Sequence, residues 1–170
     1  MRIKLFNNLL VFSLFGIALG LFGVLYEGVV YGPKFLDVSM ERMQFWKGFT
    51  AVISPITYYI PIYPIATILL VVLSFRTPKE KEGLRKRLMA ASLFQMASLA
   101  LTFYILTQIN FRRSFGDLQK YASEIPGKVV LFNILSIIRI GLGAIAVAFV
   151  FKACIQTQRE QRFFPSKQIV

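Results

Sequence analysis

Charged and apolar positions along this chain are segregated into blocks. Four apolar stretches, at about residues 5–31, 49–75, 88–110 and 129–151, alternate with short charged connections. At a rise of 1.5 Å per residue, about 20 apolar residues cross the ~30 Å hydrocarbon core of a bilayer. The pattern therefore predicts an all-α polytopic membrane protein, a single four-helix bundle over residues 1–170 with no soluble domain.

Within these stretches the exceptions carry the information. The first helix sets Gly16, Gly20, Gly23 and Glu27 at offsets of 0, 4, 7 and 11, which share one helical face. Small residues so spaced let another helix approach closely, and Glu27 extends the seam into the bundle. The second stretch is uncharged but contains Pro55, Pro61 and Pro64. Each proline removes a backbone donor and clashes with the preceding turn, so the part holding Thr57, Tyr58, Tyr59 and Tyr63 should be kinked or partly unwound beside a cavity. In the third helix Ala91, Gln95, Ser98 and Thr102 repeat the 0, 4, 7, 11 spacing, a seam for interhelical packing and hydrogen bonds. The fourth puts Ser136, Arg139, Gly143 and Ala146 on one face, which should point at the first helix.

Glu27 and Arg139 are the only charges well inside apolar stretches, and they are opposite in sign. A buried guanidinium costs roughly 2.5–3.5 kcal/mol on insertion scales, so it normally faces a partner or a polar cavity. Arg139 lies roughly 15 Å and Glu27 roughly 6 Å from the same outer face. Side chains lean toward the N-terminus of their own helix; on antiparallel helices these two lean toward each other and should pair in the outer half of the bundle.

The connections are not uniform. Residues 34–47 place Leu36, Met40 and Met43 at helical spacing near Phe35, Phe45 and Trp46, and residues 117–125 place Leu118 and Ile125 on one side; both read as segments lying in the interface. The N-terminus, the second connection and residues 152–170 carry twelve basic residues, against seven in the other two connections. The positive-inside rule then puts both termini in the cytoplasm, with the tail from residue 152 polar and mostly disordered. Met1 to Lys4 followed by an apolar run has the charge pattern of a signal peptide, but the run is too long for one, so a retained helix is expected.

The net charge of +12 and mean hydropathy of +0.61 thus describe topology and contact with anionic lipid headgroups rather than nucleic-acid binding. With no histidine and one cysteine, Cys154, histidine-bearing metal sites, ordinary haem ligation and paired-cysteine redox chemistry have no ligands. No metal or cofactor is expected, and Cys154 is left as a candidate for acylation.

The arrangement resembles the small four-helix membrane proteins related to fungal anthrone oxygenases. The matching pieces are a glycine-rich first helix leading to a proline (Gly20 to Pro33), Met43-Gln44 before the second helix, Asn110 closing the third and Arg139 inside the fourth. Where that family often has Asn-His ahead of the arginine, this chain has Ser136-Ile137-Ile138. The resemblance carries over Asn110 and Arg139, and the leading reading built on it is an outer-half pocket, lined by Glu27, Tyr31, Tyr58, Asn110 and Arg139, for a small hydrophobic aromatic compound. If the protein is an enzyme, it implies oxygenation of an activated phenolic carbon, with Arg139 stabilising the enolate. The helix-packing positions are then Gly16, Gly20, Gly23, Gln95, Ser98, Ser136 and Gly143, and the expected location is the inner cell membrane. Two other readings compete: a non-catalytic membrane subunit or scaffold, and a proton-coupled small-molecule carrier, which the strong charge bias fits less well.

Overall fold

The computed structural model describes residues 3–31, 59, 61–109 and 123–163, with isolated positions 39, 41, 44, 45 and 48. Helix α1 spans Ile3–Tyr26 and continues as a π turn over Glu27–Tyr31. Helix α2 spans Ile62–Arg76, and a 3-10 turn, Lys79–Lys81, leads into α3, Glu82–Tyr104. The end of α3 is also wound as a π-helix, over 105–109. Helix α4 spans Ile125–Phe163. Among the described residues there is no strand.

Three of the helices are long and apolar enough to cross a membrane, over Lys4–Val30, Lys79–Ile109 and Pro126–Glu160; α2 is a shorter apolar helix. The outward surface is apolar too, with Phe22, Leu93 and Ile137 about 70% exposed. That is what a lipid-facing surface requires and a water-facing one avoids.

The described start of α2 shows how its prolines are accommodated. Tyr59 is helical, Pro61 sits in a turn, and the continuous helix begins at Ile62 with Pro64 in its first turn. There a missing N–H costs nothing, because the first turn has no acceptor for it. Most of the expected helix before residue 59 lies outside the described residues, as do most of the two interfacial segments. At its other end α2 stops at Thr77, whose N–H and hydroxyl both donate to the Leu73 carbonyl, at 3.0 and 2.8 Å. Pro78 follows and cannot continue the ladder.

Two boundaries differ from the sequence expectation. Helix α3 begins at Glu82, six residues before the apolar stretch, where Glu82 and Lys86 pair at 2.6 Å one turn apart. More consequentially, α4 does not end at Phe151 with a disordered tail; it runs through Phe163. Val150, Ala153, Cys154 and Thr157 keep one buried face past the last long apolar run. The polar side of the same segment is tied down, Gln156 accepting from Arg87 at 3.0 Å and donating to Glu160 at 3.1 Å. The remaining seven residues lie outside the described part. Cys154, a candidate for acylation by sequence, is 6% exposed and packed in this core.

The helices form a closed ring in chain order, α1 packing on α2 and α4, and α3 on the same two. Two apolar clusters fill the interior. One, including Leu10, Ile17, Leu70, Leu88 and Val150, occupies the end near both termini. The other, Ile105, Ile109, Val129 and Phe132, occupies the opposite end.

Candidate functional site

Between those clusters lies a polar layer, and the glycine seam of α1 is what admits it. A Cβ added at Gly16 would fall 2.5 Å from the Ala66 Cβ, one at Gly20 1.8 Å from the Tyr63 ring, and one at Gly23 2.4 Å from the Tyr59 ring. The missing side chains therefore leave room for two buried tyrosine rings, packed edge to face at 6.4 Å. On α4, Gly143 performs a similar service, since its Cβ would meet Leu21 of α1 at 3.2 Å and Ser98 of α3 at 3.7 Å.

Glu27, the first residue of the π turn, is 5% exposed, and Arg139 is 1% exposed. Their side chains meet: Arg139 Nη2 donates to Glu27 Oε2 at 2.5 Å. The hydroxyl of Tyr59 donates to the other carboxylate oxygen, Oε1. Both oxygens of Glu27 are thus engaged, one by a cation and one by a phenol. Arg139 also reaches Ser136 Oγ at 3.5 Å, and its guanidinium carbon lies 6.0 Å from the centre of the Phe132 ring. Its Nε is buried without a hydrogen-bond partner.

The network continues around the bundle. Ser98 donates from α3 to the backbone carbonyl of Arg139 at 3.0 Å, and the Tyr63 hydroxyl from α2 shares a 3.0 Å hydrogen bond with Ser98. Gln95, one turn from Ser98, donates to Thr67 on α2 at 3.2 Å, leaving its own carbonyl oxygen without a partner. The links Glu27–Tyr59, Tyr63–Ser98, Ser98–Arg139 and Arg139–Glu27 join all four helical segments in a closed circuit. Removing charged and polar groups from water costs several kcal/mol per ion unless each is paired, and here the pairing is shared among the helices.

Of the residues assigned from the sequence, the structure brings together Glu27, Arg139, Ser136, Ser98 and Gln95 in this layer and places Gly16, Gly20, Gly23 and Gly143 at its close approaches. Tyr31 ends the π turn of α1. Tyr58 and Asn110 lie outside the described residues, and it is Tyr59 that reaches Glu27. Tyr59 and Tyr63 carry the strongest unassigned roles, and their signal was in the spacing. Tyr59, Tyr63 and Ala66 stand at offsets of 0, 4 and 7, the spacing of Gly16, Gly20 and Gly23, and on the antiparallel helices they meet Gly23, Gly20 and Gly16 in turn. Among the described residues no group of three histidine, cysteine, aspartate or glutamate side chains could hold a metal ion.

Chemically the layer offers a carboxylate, a guanidinium whose Nε–H has no partner and a phenol, all shielded from solvent. Compared with known proteins, the chain matches no family model, no curated protein and no solved structure.

Proposed function

We propose that this chain is an integral protein of the inner cell membrane, with both termini cytoplasmic, that binds a small hydrophobic aromatic compound at Glu27, Arg139 and Tyr59. One observation carries the reading: a protein phenol, that of Tyr59, already sits on one oxygen of a carboxylate held by a buried guanidinium. A phenolic ligand offers the same donor to Glu27, and a carbonyl on that ligand matches the unpartnered Nε of Arg139. Two π turns, in α1 and at the end of α3, flank this end of the bundle; such turns recur at functional sites because they redirect side chains. The finer version, suggested by the resemblance to anthrone-oxygenase-like proteins, is oxygenation of the bound compound, with Arg139 stabilising an enolate.

Native mass spectrometry of the protein in mild detergent tests the binding. Wild type should carry a small aromatic species that folded Arg139→Leu loses. Oxygen uptake with an anthrone tests the chemistry, and uptake no greater than a detergent blank would remove the enzymatic version.

A second reading, an ion pair that only pins the helices of a non-catalytic subunit, is favoured by the saturation of both Glu27 oxygens by protein groups. Absence of any bound species in wild type, together with an Arg139→Leu protein that is merely unstable, would select it.

A further inference from the structure

At the end of the bundle that carries both termini, a cavity of about 230 Å³ opens between α1, the α2–α3 turn and the far part of α4. It is smaller than the ~300–1,000 Å³ clefts that take drug-sized ligands. Its walls combine Phe6 and Leu84 with six polar side chains, of which the Thr77 and Thr157 hydroxyls donate within their own helices, leaving Asn7, Arg76, Lys81 and Glu160. Both polar atoms of the Asn7 amide are out of solvent, and neither has a hydrogen-bond partner. A buried donor and acceptor left unmade are costly, so the pair calls for an occupant that both accepts and donates.

The charges narrow what that occupant is. Lys81 Nζ donates to Glu160 Oε2, and Gln156 donates to Glu160 Oε1. Glu160 is thus already neutralised by Lys81, and an ammonium headgroup finds no unpaired anion in the lining, which disfavours ethanolamine and choline. Arg76 makes no ion pair with any described residue. Two cations against one anion leave the lining with one positive charge in excess, the complement of one phosphodiester. The depth fits as well, because Arg76 is the first charged residue after the apolar run of α2, where the headgroup region begins.

We infer that this cavity is a binding site for the glycerol-type headgroup of an anionic phospholipid. The phosphodiester lies against Arg76 and Lys81, and a headgroup hydroxyl donates to the Asn7 carbonyl while the Asn7 amide nitrogen donates to a headgroup oxygen. The inference rests on the membrane placement proposed above and not on any ligand at Glu27 and Arg139.

The test is native mass spectrometry of the full chain in mild detergent, offered phosphatidylglycerol, phosphatidylethanolamine and phosphatidylcholine with matched acyl chains. Phosphatidylglycerol should be retained about tenfold over the other two, the size expected for a charge-assisted hydrogen bond. Asn7→Leu and Arg76→Gln should each abolish most of that preference, whereas Arg159→Gln, at the same end but outside the cavity, should keep it. Arg76 is exposed, so its variant should fold even if the Asn7 variant does not. Equal retention of the three lipids, or equal loss in Arg159→Gln, would overturn the site in favour of diffuse surface charge. Displacement of the lipid by millimolar sn-glycerol 3-phosphate would overturn the lipid assignment in favour of a soluble phosphate ester. Fractionation of the protein with membranes, scored separately, keeps failure of the site distinct from failure of the membrane placement.

Discussion

The ring of Tyr63 occupies the space that a side chain at Gly20 would need, its nearest carbon 1.8 Å from where that Cβ would stand. The two residues are one contact, and α1 and α2 can approach only because one partner has nothing to contribute.

Gly20→Ala should therefore force the tyrosine ring or the whole of α2 outward. Overpacking of this kind costs typically ~1–3 kcal/mol, and thermal unfolding in detergent should show it. Gly141→Ala is the control, since nothing lies within 4 Å of the added carbon. It should be neutral or slightly stabilising, by roughly 0.5–1 kcal/mol from helix propensity alone.

The buried pair predicts a non-additive cycle. Arg139→Met or Glu27→Gln alone strands a charged or polar partner away from water and should destabilise by about 3–5 kcal/mol. Together they remove both charges, and the double variant should be more stable than the worse single one. Equilibrium unfolding in mixed micelles measures all four corners; strict additivity would mean that the two residues do not interact in the folded protein.

Cys154 is the chain's single cysteine, and it lies in the apolar core beside Leu84, Leu88 and Val150. A maleimide reagent should label it slowly in the folded protein and fully after denaturation. Rapid labelling under native conditions would mean that the far part of α4 is not packed as described.

The far part of α4 is held to the α2–α3 turn by Glu160, which accepts from Lys81 on one oxygen and from Gln156 on the other. Both side chains of the ion pair are more than a third exposed, so Glu160→Gln should cost at most about 1 kcal/mol. Hydrogen exchange of residues 152–160, compared at one pH, should be modestly faster in the variant than in wild type; equal rates would mean that the pair does not hold this segment.

Much of the fold was written in the pattern of charges. Long apolar runs specify the helices because a span must be uncharged to enter lipid, and the opposite leaning of Glu27 and Arg139 follows from helix geometry alone. The extension of α4 was harder to read, since beyond Phe151 the residues turn polar and only the spacing of Val150, Ala153, Cys154 and Thr157 still marks a buried face. The partner of Glu27 among the tyrosines was masked for a different reason. Tyr58 and Tyr59 are chemically identical neighbours, and only their register against the glycines of α1 separates the one that reaches the carboxylate. Register is a property of two helices at once, and a single-helix pattern does not contain it.

The four links of the polar layer close on themselves. They visit the four helical segments and return to the start, and a loop of this kind stays in one piece when it is cut once. Losing Tyr63–Ser98 leaves every helix still reachable from every other through the remaining three bonds; a second break, on the far side, is needed to part the bundle into halves. Damage at Tyr59 or Tyr63, each of which stands in one link, should therefore be graded, whereas the side chains of Glu27 and Ser98 each stand in two, and losing either of them cuts the loop twice at once.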